Sequence, residues 1–108
     1  MDRQSGRIEK RSPLNVPVWL TSLNNPGPFE RAMTENISPA GARIVAPTRW
    51  PASEKIVVLC APGCIANAEI IYSQALPYDA NQFALGVRLQ NSPAGWPVKA
   101  PDAAPFGT

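Results

Sequence analysis

Phe83-Ala84-Leu85-Gly86-Val87-Arg88-Leu89 alternates large apolar residues with small or charged ones. A side-chain period of two puts Phe83, Leu85, Val87 and Leu89 on one face of an extended chain. The pattern predicts a strand with one buried face, and it recurs upstream. Val16, Val18 and Leu20 alternate with Pro17, Trp19 and Thr21. Residues 29–37 read as a second strand, with Glu30, Arg31 and Glu35 marking a solvated face. Residues 42–46 make a third, short one. Ile56-Val57-Val58-Leu59-Cys60 is apolar throughout, which predicts a strand buried on both faces or crossing a barrel corner. Residues 65–74 form a longer strand before the quoted one.

Turn chemistry separates these runs. Asn24-Asn25-Pro26-Gly27-Pro28, Ala61-Pro62-Gly63 and the stretches 47–53 and 77–81 all punctuate the chain. Six strands without a convincing helix predict an all-β fold, a small antiparallel barrel or sandwich. Thirteen Pro and seven Gly among 108 residues exclude a helical bundle. That length holds one domain with one core. The pattern divides it into a single domain over 1–98, with an arm at 1–13 and the barrel at 14–90. The Pro-rich stretch 99–108 reads as a disordered tail.

Composition narrows the chemistry. The chain has no His, so His-based acid–base catalysis and His-ligated metal sites are excluded. Residues 1–11 hold four basic residues against two acidic ones, and the other 97 hold six of each. The excess positive charge therefore sits wholly in the arm. That suits a local anion site better than a broad DNA or RNA surface. An oligonucleotide-binding barrel would want basic strands and exposed aromatics. No apolar run reaches the ~18 residues needed to span a membrane. Residues 1–15 lack a signal-peptide core, so the reading is cytoplasmic. Cys60 and Cys64 are then reduced thiols at the two ends of a hairpin, and two thiols alone make a poor metal site.

Two motifs carry the functional reading. Arg7-Ile8-Glu9-Lys10-Arg11 is an R-x-x-x-R in the polar arm, directly before the first strand. Asn36-Ile37-Ser38-Pro39-Ala40-Gly41 is an N-x-S-x-x-G between two strands. Two guanidiniums four residues apart can fork onto phosphates, grip a guanine edge or stack on a base. Lys10 adds an auxiliary charge. Asn36 offers a carbonyl and Ser38 a hydroxyl to a base edge. Gly41 permits a positive φ or a close backbone approach. No nucleophile–base pair is present, which points to binding and not to an enzyme.

These motifs, in this order on this strand pattern, resemble the PilZ family of bacterial cyclic di-GMP receptors. The resemblance covers about residues 7–90. It implies a six-stranded antiparallel β-barrel of split-barrel type with a flexible arm that orders on ligand. It implies cyclic di-GMP as ligand, held by Arg7, Arg11, Asn36, Ser38 and Gly41, with no cofactor and no metal. It also implies output through an unidentified downstream protein. Two departures stand out. Gly6 occupies the place of an arginine that often precedes the first motif, and a Pro-rich tail replaces a common C-terminal helix. The alternative reading is a degenerate PilZ-like interaction module that binds no nucleotide.

Overall fold

The structure is a computed structural model that describes residues 12–60, 63–91 and 93–97. The strands are β1 (Ser12–Pro13), β2 (Pro17–Ser22), β3 (Glu30–Ser38) and β4 (Gly41–Ala46), then β5 (Lys55–Cys60), β6 (Cys64–Leu76) and β7 (Asp79–Leu89). Every pairing is antiparallel, and the pairing of β3 with β4 closes the sheet on itself. The ring runs β3-β2-β5-β6-β7-β4 and back to β3. The short β1 pairs with Ile37 and Asn36 on the edge of β3 that β2 also uses. β1 and β2 thus form one interrupted strand, and the fold is a closed six-stranded barrel. No helix occurs among the described residues.

The interior follows from the alternation. Val18 and Leu20, Ile44, Ile56 and Val58, Ile70, and Leu85 are fully buried. Ala66 and Ala68 line the inner face of β6, small residues that fit a narrow barrel. The apolar run Ile56–Cys60 does not bury both faces. Its even positions point inward, whereas Val57 and Leu59 are half-buried outside. Cys60 and Cys64 face each other across the hairpin as buried free thiols.

Of three register shifts, the third at Ala75–Leu76 beside the β6–β7 turn, two break the alternation near the middle of the wall. The register of β3 slips between Thr34 and Asn36, leaving Glu35 as the extra residue. That slip lets Thr34 and Ile37 both point inward although their numbers differ in parity. Asn36 and Ser38 take the outward parity. On β6 the register slips between Ile70 and Tyr72, so Ile70 is buried and Tyr72 lies on the outside.

Candidate functional site

The outer wall of β3, β4, β7 and β6 carries a two-row grid fixed by register. In one row Asn36 pairs with Arg43, Arg43 with Gly86, and Gly86 with Tyr72. In the next row Ser38 pairs with Gly41, Gly41 with Arg88, and Arg88 with Glu69. Neighbouring strands stand ~4.8 Å apart, and rows two residues apart are separated by ~7 Å. The two rows bring all three residues of the second motif next to two arginines, a second glycine and an aromatic ring.

Glycines make room on this wall. A Cβ at Gly41 would lie 2.2 Å from the Val87 carbonyl oxygen, a backbone atom that cannot swing aside. Gly41 is not among the residues with positive φ. Of the two roles open to it from sequence, close backbone approach is the one the fold uses. A Cβ at Gly86 would fall 2.1 Å from Cε2 of Tyr72. The ring occupies the space that any other residue would fill. The result is a surface cavity of about 260 Å³, lined by Ser38, Gly41, Gly86 and Arg88 together with Ile71 and Tyr72.

Polar contacts fix the walls. The Arg43 Nε donates to Glu35 Oε1 at 2.7 Å, and its Nη1 donates to the Tyr72 hydroxyl at 3.0 Å. The bulge at Glu35 is what lets that carboxylate reach the outer face beside Arg43. The hydrogen bond to Glu35 raises the Arg43 pKa above its ordinary value, and partial burial opposes the rise. Arg43 is thus a fixed cation on this wall. Arg88 Nη2 donates to Glu69 Oε1 at 3.0 Å, but the Arg88 side chain stays 63% exposed. Arg88 therefore stands at the cavity rim with its charge available to an anion.

The second motif is more strand than turn. Asn36 and Ser38 belong to β3, Gly41 opens β4, and only Pro39 and Ala40 make the turn. Ser38 is just 1% exposed, although it lines the cavity. The Ser38 carbonyl accepts a 2.9 Å hydrogen bond from the Trp96 indole, which is itself buried in the core. Trp96 thus packs in the core. Trp50 donates to Glu30 Oε1 at 2.8 Å and packs on the core from its loop.

Arg7, Lys10 and Arg11 lie outside the described residues. The described chain begins at Ser12, whose backbone pairs with Ile37, between Asn36 and Ser38. Thr34 holds this attachment point. Its buried hydroxyl accepts from Val16 N at 2.8 Å and donates to Leu14 O at 2.5 Å. The Asn15 amide donates to Thr34 O at 2.9 Å.

Sequence alone places Arg43 and Arg88 on strands, where a solvated face is favoured over a place at the site, and gives no role to Tyr72 or Gly86. A signal for Gly86 is present: a glycine amid the cleanest alternating strand marks a close approach by another group. The pairing of Tyr72 with Gly86 depends on the β6 bulge, which the residue pattern does not announce. Neither a protein-family model nor a curated protein matches this chain.

Proposed function

We propose that the chain is a cyclic di-GMP receptor of the PilZ type that passes its signal to a partner protein from the cytoplasm. The observation that carries this reading is the corner where Ser38 and Gly41 line a cavity, with Asn36 two residues before Ser38 on β3, beside the point where the described chain begins at Ser12. Arg11 directly precedes Ser12 in the sequence, and Ser12 pairs with β3 beside the motif. Arg7 and Arg11 supply charge for the two phosphates, with Lys10 as auxiliary. Asn36 and Ser38 supply the base-edge contacts, and Arg88 supports them from the far rim. The proposed role is binding without turnover.

A thermal melt with and without cyclic di-GMP tests the reading. Saturating ligand at ~100 times its Kd adds about 2.7 kcal/mol of stability to a protein that binds only when folded. The expected outcome is a clear rise in Tm for the wild type and little or none for Arg7→Ala/Arg11→Ala. An unchanged Tm in the wild type would instead favour the interaction module that binds no nucleotide.

A further inference from the structure

The ring of Tyr72 lies flat on the barrel wall. A Cβ at Gly86 would stand 2.1 Å from Cε2 and 2.6 Å from both of its ring neighbours, Cδ2 and Cζ. Those distances fit an approach over the face of the ring and are too short for an approach along its edge. One face of the ring therefore rests on the Gly86 backbone. The ring is half-buried and forms a wall of the cavity, so part of it meets solvent there. Its hydroxyl is pinned by Arg43, and Arg43 is pinned in turn by Glu35. A tyrosine that merely filled a gap would need neither the cleared glycine nor the anchored hydroxyl. Together they fix the plane of the ring. A fixed aromatic face loses little conformational freedom when a flat ligand settles on it.

Size says what the cavity accepts. Pockets for whole drug-sized ligands run ~300–1,000 Å³. About 260 Å³ suits one planar bicyclic ring, with the rest of a larger ligand lying outside. Arg88 at the rim supplies a cation for the ring edge or a neighbouring phosphate. We propose that Tyr72 is a stacking platform for a purine base, held in plane by the Arg43–Glu35 pair and floored by Gly86. Within the receptor reading, on which this assignment rests, the base is one guanine of the cyclic dinucleotide. Base–aromatic stacking tolerates any base, because every base has a π-face.

The experiment is an NMR titration of protein carrying ring-labelled tyrosine. The probes are cyclic di-GMP, guanosine 5′-monophosphate and ribose 5-phosphate. Tyr78, 76% exposed on the β6–β7 turn, is the internal control. The expected result is an upfield ring-current shift of Tyr72 with both guanine ligands, none with ribose 5-phosphate, and no shift of Tyr78. Tyr72→Phe keeps the stacking face and should bind cyclic di-GMP within about threefold of wild type. Tyr72→Leu should bind about tenfold more weakly. Cyclic di-GMP binding that leaves the Tyr72 resonances in place overturns the platform and spares the receptor. If cyclic di-GMP does not bind, the receptor reading falls, and the monophosphate decides the platform. A Tyr72 shift with the monophosphate then supports the platform, and no shift overturns it. Should Tyr72→Leu fail to fold, the wild-type shifts decide alone.

Discussion

Gly41 and Cys60 show how a single residue is constrained on each side of this barrel. At Gly41 the conflict is steric. Its missing Cβ would meet backbone of β7 at 2.2 Å, so relief requires the β4–β7 pairing to open. Gly41→Ala should destabilise the fold by about 1–3 kcal/mol, and Gly41→Val by more, read by urea unfolding. The motif glycine is therefore a requirement of the barrel before it is a requirement of any ligand. Its importance was legible in the sequence, but the choice between positive φ and close approach was not, because the neighbouring β7 carbonyl comes from 46 residues further on. At Cys60 the constraint is electrostatic. Burial, then contact with Cys64, pushes its thiol from 9.0 up to about 12. An acid whose pKa is raised on folding stabilises the native state while it stays protonated. That contribution is complete below about pH 9 and is lost as pH climbs toward 12. Chemical unfolding across pH 8–11 should show stability falling in the wild type. Cys60→Ala, less stable at neutral pH through its cavity, should show a shallower fall. Equal slopes would mean that the thiol ionises as readily in the folded protein as in the unfolded one.

Strands are the elements that residue alternation reports well. Val18 and Leu20, and Leu85 and Val87, were legible as inward pairs, and all four are buried. The continuous run of β5 misled, because Val57 and Leu59 are apolar yet sit half-buried on the outside. Bulges were not legible, since each depends on a partner strand that local patterning does not name. Yet the bulges at Glu35 and Ile71 build the site: one releases the carboxylate that orients Arg43, the other sets Tyr72 over Gly86. The interrupted β1–β2 strand makes a second device. Thr34 bridges the break, with its side chain taking the place of ladder bonds on both sides of Asn15. Thr34→Val keeps the shape and removes the hydroxyl, leaving a Val16 N–H and a Leu14 carbonyl without that partner. The expected cost is about 2–3 kcal/mol, and amide exchange at Val16 should accelerate. If the arm works from this anchor, cyclic di-GMP affinity should fall in Thr34→Val although no ligand contact has been changed.

At the scale of the whole molecule, the barrel wall is charge-balanced and the excess positive charge sits in the first eleven residues. That division was legible from a count of residues. The cavity was not, because it is assembled from four strands whose register only the closed sheet defines. The second motif lies where the two meet: its Ser38 and Gly41 edge the cavity, and β1 starts beside it. Under the proposed receptor function, the arm would supply affinity through phosphate, and the wall would supply the choice of base. Phosphate contacts alone would accept any cyclic dinucleotide. Guanine differs from adenine by its exocyclic amine and N1–H, so under the proposed function Asn36 and Ser38 would meet the edge of one base better than that of the other. The most direct measurement is therefore an isothermal titration of cyclic di-GMP and cyclic di-AMP into the wild type and Asn36→Ala. Cyclic di-AMP should bind the wild type at least about tenfold more weakly, ~1.4 kcal/mol, and Asn36→Ala should narrow the gap. Equal wild-type affinity for the two dinucleotides would contradict a guanine-reading wall.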